Sequence, residues 1–156
     1  MRKRLFLLVG LLLALPALGS ADDRILRFDT MVGVVRPFTG ATNPIRGVNG
    51  GGQPWAVAKA KGDLRANGRL EIKVEGLVLV STGLNPSATF RAIVSCLTTA
   101  DGLTVNTMNV TTDQFPATPT GDSEIEAVVT LPSPCIAPIV FVTNAAGTSW
   151  FAATGF

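Results

Sequence analysis

The 156-residue chain contains no histidine and no tyrosine. Without histidine there is no Ser-His-Asp triad, no Cys-His protease site and no His-containing zinc site of the kind common in exported hydrolases. Without tyrosine a further acid–base candidate is gone. Cysteine occurs twice, at Cys96 and Cys135, far from the C-x-x-C spacing of a redox-active pair. Lys and Arg do not cluster anywhere after Ala21, so nucleic acid is not expected as a partner. The longest later apolar run, Ile136 to Val142, contains Pro138 and falls well short of the ~20 residues of a membrane-spanning helix.

What is present begins with an address. Arg2, Lys3 and Arg4 precede an apolar run from Leu5 to Leu15 broken only by Gly10. Pro16 ends the run, and Gly19-Ser20-Ala21 gives small residues before the acidic pair Asp22-Asp23. This order of charge, apolar core and small-residue cleavage site is that of a secretory signal peptide. Residues 1–21 are therefore expected to be removed, leaving 22–156 as a single domain, periplasmic or extracellular, with no membrane span. No Cys stands at the cleavage region, so a lipid-modified mature N-terminus is not expected. Setting aside Arg2, Lys3 and Arg4 reduces thirteen Lys and Arg to ten against eleven Asp and Glu, a net charge of −1. The basic pI belongs to the precursor, and the positive mean hydropathy is inflated by the leader. In an oxidising compartment the even cysteine count predicts a Cys96–Cys135 disulfide. It would close a loop of about 40 residues, worth roughly 4 kcal/mol in the chain-entropy view.

The rest of the chain is patterned with period two. Leu70, Ile72 and Val74 alternate with Arg69, Glu71, Lys73 and Glu75, and Ile125, Ala127, Val129 and Leu131 alternate with Glu124, Glu126, Val128 and Thr130. Such alternation predicts half-buried strands. Further strands are expected at 25–35, 55–64, 89–98, 103–112, 136–143 and 149–154. Thr, Val and Ile are abundant and no helical stripe is found. About eight strands predict an all-β protein, an antiparallel sandwich of immunoglobulin-like or jelly-roll-like type with one disulfide. A small closed barrel is the alternative.

One hairpin can be placed in register. A two-residue Asn67-Gly68 turn would set Leu64 opposite Glu71 and mix core and solvent residues on one face. A three-residue loop, Ala66-Asn67-Gly68 with Gly68 left-handed, pairs Leu64 with Leu70 and Ala60 with Val74. Lys59 then faces Glu75, and Lys61 reaches Glu71 diagonally. Ala100-Asp101-Gly102 suggests a similar turn between the next strands. Pro37 to Pro54 is a long Gly-rich loop, of the kind usually functional or disordered. Leu131-Pro132-Ser133-Pro134-Cys135 is expected to carry the chain between sheets, with the disulfide pinning the crossing.

Few residues can carry chemistry, and no cofactor is expected. An enzyme built from this chain would depend on carboxylates, as many glycosidases do. Asp122, Glu124 and Glu126 alternate and are weak candidates for calcium, against the plainer reading of a solvated strand face. Gly47-Val48-Asn49-Gly50-Gly51-Gly52 lacks the following helix and spacing of a phosphate loop and reads as a flexible connection. Asn109-Val110-Thr111 fits a glycosylation acceptor. Candidate ligand-binding residues are Asn49 and the aromatics Trp55, Trp150 and Phe151, whose rings could stack on a sugar or anchor a protein; the favoured alternative places both tryptophans in the core. Terminal Phe156 raises a minor alternative, an eight-stranded outer-membrane barrel, which the scarcity of aromatics opposes.

Two stretches, Gly83-Leu84-Asn85-Pro86 leading into Phe90-Arg91-Ala92-Ile93-Val94-Ser95-Cys96, and Leu131-Pro132-Ser133-Pro134-Cys135 leading through Ile136 to Val142, resemble a group of small exported bacterial proteins of unassigned function. The resemblance implies export, β architecture and the cysteine pair, and carries no catalytic residue. The expected function is an exported, non-enzymatic binding or structural module meeting an extracellular protein or glycan through loops such as 38–53. A carboxylate-dependent secreted hydrolase is the rival.

Overall fold

The computed structural model describes residues 23–154. The expected leader, the cleavage point and Phe156 lie outside them. The described residues are all-β, with strands β1 (Arg24–Phe28), β2 (Met31–Gly33), β3 (Asn49–Gly50), β4 (Trp55–Ala56), β5 (Lys59–Arg65), β6 (Arg69–Glu75), β7 (Val78–Leu79), β8 (Thr89–Thr98), β9 (Asn106–Thr111), β10 (Phe115–Pro116), β11 (Ser123–Val128), β12 (Ile136–Thr143) and β13 (Ser149–Thr154).

A four-stranded antiparallel sheet has the order β1-β5-β6-β11, and a larger sheet the order β10-β8-β12-β13-β2. In the larger sheet β9 pairs β8 on the same side as β10, and β3 makes a short parallel pair with β13. The two sheets form a sandwich around one core, in which Leu64, Leu70, Val74 and Ile125 meet Phe90, Val94, Val140 and Val142. Neither sheet closes on itself, so both barrel expectations are corrected: β1 and β11 remain the two edges of the smaller sheet.

The β5–β6 hairpin follows the three-residue loop. Leu64 pairs with Leu70, Ala60 with Val74 and Lys59 with Glu75. Gly68 has φ +86°, and a Cβ there would overlap the Val129 carbonyl oxygen, so two constraints select glycine. The second turn is different from the expected one. β8 pairs with β9 from Thr98 and Asn106 onward, leaving 99–105 as the loop. The Asp101 carboxylate organises it, accepting from the amides of Leu103 and Thr104 and the hydroxyls of Thr99 and Thr104. An Asx-type turn took the place of a glycine-bulge hairpin.

Two expected strands are each divided. The 25–35 segment leaves the smaller sheet after Phe28 and re-enters the larger one at Met31, and 55–64 breaks between Ala56 and Lys59. The proline-rich connector does cross between the sheets, from β11 to β12. The Cys96–Cys135 disulfide, with Cα atoms 5.0 Å apart, holds its far end to β8.

Candidate binding surface on the charged sheet

Charge is divided unequally between the sheets. β1 carries Arg24 and Arg27, β5 carries Lys59, Lys61, Asp63 and Arg65, β6 carries Arg69, Glu71, Lys73 and Glu75, and β11 carries Glu124 and Glu126. Across the strands of the larger sheet the only charged residue is Arg91. In the smaller sheet the two-residue alternation turns Leu64, Leu70, Ile72, Val74 and Ile125 into the core and the charged side chains outward.

The register sets these charges in rows across the strands. Arg27, Asp63, Glu71 and Glu126 are successive neighbours on four strands, and Lys61, Lys73 and Glu124 form the next row. Like charges directly opposite one another destabilise a sheet, and local pairs relieve most of them. Arg65 Nε lies 3.5 Å from Asp63, and Arg69 Nη2 lies 2.6 Å from Glu71. Lys73 lies 3.4 Å from Glu75 and 3.6 Å from Glu124. The hydrogen bond to Glu75, then the charges of Glu75 and Glu124, push the Lys73 ammonium above its ordinary value. Lys59 meets Glu75 at 3.9 Å, as its register requires. The expected diagonal contact of Lys61 with Glu71 is not made, because Arg69 occupies Glu71. Among the described residues, the side chains of Arg27, Lys61 and Glu126 are left without an ion pair.

These three unpaired charges border a shallow concavity of about 400 Å³. Its β1 and β5 side presents Arg24, Arg27 and Lys61 against Asp29 and Asp63, β6 adds Glu71 and Lys73, and its β11 side presents Glu124 and Glu126. The surface is cationic toward one edge and anionic toward the other, on a strand framework that fixes the spacing of the charges. Such a surface can recognise charge complementarity and register. The Glu124 and Glu126 carboxylates are open to solvent, without the enclosing walls that separate the environments of an acid and a base.

The aromatic candidates lie elsewhere. Trp55 is 4% exposed and Phe151 7%, and their rings stack with centroids 3.8 Å apart at 14°. Phe90 meets Phe151 edge-on, while Trp150, 3% exposed, packs against Phe141. A ring buried on both faces cannot stack on a ligand. The expectation of a binding site at Trp55, Trp150 and Phe151 is therefore corrected: all three are core residues, placed there by the area a large ring removes from water.

The glycine-rich segment is a strap rather than a flexible connection. Gly40 donates to Gly51 O at 3.0 Å, Gly50 to Gly40 O at 3.0 Å and Gly51 to Trp150 O at 2.8 Å. Gly51 lies over the Trp55–Phe151 stack, where a Cβ would come within 3.1 Å of both rings. Asn49, half-buried, belongs to this strap and runs beside Ser149. The Arg46 guanidinium donates to the Ser95 carbonyl at 2.9 Å, beside the register break before Ile139 that contains Pro138. Asn109, the proposed glycan acceptor, donates its amide to Arg46 O at 3.0 Å.

Asp122, Glu124 and Glu126 do not converge. The Asp122 carboxylate accepts from the Gly76 amide at 2.9 Å and the Thr120 hydroxyl at 2.8 Å, and these bonds hold it below its ordinary value. Glu124 turns to Lys73, and Glu126 stands in the outer row. Among the described residues no three His, Cys, Asp or Glu side chains are placed to hold a metal ion.

Comparison of the chain with protein families, with curated proteins and with solved structures finds no match.

Proposed function

We propose that this protein is an exported, non-enzymatic binding or structural module, and that its contact surface is the outer face of β1, β5, β6 and β11 rather than the aromatic residues or the 38–53 loop. The observation that carries this reading is the trio Arg27, Lys61 and Glu126, unpaired around a shared concavity on an otherwise ion-paired sheet. An exposed surface ion pair contributes little to stability, so concentrating charge on one face is better understood through recognition and solubility than through folding. The opposed cationic and anionic strips suit an extracellular protein carrying the reverse arrangement. A uniformly anionic glycan would be repelled along β11.

Export rests on the charge, apolar run and small residues of 1–21, and the disulfide is compatible with an oxidising compartment. Two measurements test the proposal. Mass analysis of the protein recovered outside the cytoplasm should give an N-terminus at Asp22; retention in the cytoplasm with the leader intact would refute export. Cross-linking in the extracytoplasmic fraction should yield an adduct that both Arg27→Glu and Lys61→Glu abolish, while Asp113→Asn leaves it unchanged. Turnover of a polysaccharide, lost in Glu71→Gln or Glu126→Gln, would instead establish the carboxylate-dependent hydrolase.

A further inference from the structure

The edges of the two sheets are protected unequally. An unpaired edge strand is a template for another strand, and proteins blunt edges with charge, proline, bulges or brevity. In the smaller sheet β1 carries Arg24 and Arg27 and a register shift between Arg24 and Leu26, and β11 carries Glu124 and Glu126. In the larger sheet β10 is two residues long and contains Pro116, while β2 and β3 are short. β9 has none of these devices. Its six residues, Asn-Thr-Met-Asn-Val-Thr, are uncharged and pair with β8 without a register shift, and five of the six are exposed.

The sequence of β9 is also symmetric. Thr107-Met108-Asn109-Val110-Thr111 reads as hydroxyl, apolar, amide, apolar, hydroxyl about Asn109. The backbone has matching symmetry. Thr112 donates its amide to Ala92 O at 3.0 Å. Antiparallel alternation then directs the N–H and C=O groups of Val110 and Met108 toward β8, and those of Thr111, Asn109 and Thr107 toward the open edge.

We propose that β9 is the contact between two copies of this chain, which pair antiparallel about a two-fold axis through Asn109 and continue the larger sheet across both molecules. In this register Asn109 faces its own counterpart, Thr107 faces the second copy's Thr111, and Met108 faces its Val110. Hydroxyl meets hydroxyl and apolar meets apolar, and Asn109, whose side-chain amide donates to Arg46 O, offers its backbone N–H and C=O to its counterpart, which is the self-complementarity an isologous interface requires. The second copy is favoured over an unrelated strand because threonine stands on both sides of Asn109 at equal distance, so that antiparallel self-pairing matches every position of the edge at once. Met108, 46% exposed on a strand edge, becomes covered. Arg91 is the only charge on the sheet's strands, so the strands themselves set no like charges opposite one another across the new ladder. The contact area is that of a small interface, so association falls in the micromolar-to-millimolar range. The inference is independent of what the charged face binds.

Sedimentation of the purified protein over a concentration series should show a reversible monomer–dimer equilibrium. Asn109→Lys sets two ammonium groups opposite each other on the axis and should weaken it at least about fivefold, as should Asn109→Glu. An equimolar mixture of the two variants should recover the dimer. Hydrogen exchange on the unaltered protein gives a second reading that needs no variant. The amides of Thr107, Asn109 and Thr111 should gain protection with concentration, while those of Met108 and Val110 are protected throughout. A protein that stays monomeric at about 1 mM, a dimer indifferent to both substitutions, or exchange at Thr107, Asn109 and Thr111 that ignores concentration would each overturn the proposal.

Discussion

Replacing Trp55 by alanine separates a core ring from a ligand-stacking ring. Trp55 is 4% exposed and lies face to face with Phe151 at 3.8 Å. A buried tryptophan removes about 200 Å² from water, which at about 25 cal/mol per Å² is about 5 kcal/mol. Partial collapse around the vacated space brings the expected loss to about 3–5 kcal/mol. That is a large share of the roughly 5–15 kcal/mol by which a domain is stable. The stack adds a separable part: a cycle of Trp55→Leu, Phe151→Leu and the double variant should give a coupling of about 0.5–1.5 kcal/mol. Urea titration followed by the fluorescence of Trp150, itself buried, measures all of these. A surface ring would show the opposite pattern, a stability change within about 0.5 kcal/mol. If Trp55→Ala costs less than about 1 kcal/mol, the core assignment of the ring is wrong.

Other elements make equally definite demands. With a sequence separation of 39, replacing both Cys96 and Cys135 by alanine should lower stability by about 4 kcal/mol in the same titration, and an unchanged midpoint would contradict the staple. Asp122, whose carboxylate is held below 3.8 by the Gly76 amide and then the Thr120 hydroxyl, contributes stability at pH values above its unfolded value. That contribution is lost as pH falls through the lower folded value, so Asp122→Asn should flatten the acid limb of a melting-temperature profile below about pH 4; parallel limbs would refute it. Gly68→Ala combines a left-handed backbone with an overlap on the Val129 carbonyl and should cost more than about 1–2 kcal/mol in a thermal melt, more than Asn67→Ala.

Local pattern reached the elements whose faces differ and missed those held by distant partners. β8, β12 and β13 have the bounds that their apolar runs suggest, and the β5–β6 register follows from Leu64, Leu70 and Val74, since a one-residue slip would invert both faces. The alternation of β5 and β6 also showed that one side of this hairpin is charged. It could not show that β11 pairs with β6 and β1 with β5, which unites Arg27, Lys61 and Glu126 around one concavity. Those pairings join segments far apart in sequence, and period two specifies faces without naming neighbours. The break at Phe28–Met31 was hidden for the same reason: 25–35 alternates well enough for one strand, but its two halves serve different sheets. Trp55 and Trp150 were ambiguous because a tryptophan next to a glycine-rich loop suits a surface site and a packed core equally. The close approach of Gly51 to the Trp55–Phe151 stack decides it, and only a tertiary contact carries that information.

The contrast between the sheets accounts for the long loop. A strand whose two faces are both buried needs cover on both, and β8 buries Ile93 and Ser95 on one side as well as Phe90, Ala92 and Val94 on the other. Phe141 lies opposite Ile93 in the register, so it shares the side that the first sheet does not cover. Asn109, the register partner of Ser95, is bonded from this side to Arg46, which places the strap there. The strap contributes Val48 to the core and supplies the Ser95 carbonyl with a donor where Pro138 interrupts the ladder. A length expected to signal binding or disorder thus serves to cover an apolar sheet face. The charged sheet needs no such cover, because its outer face is soluble as it stands. Arg27, Lys61 and Glu126 stand on that uncovered face.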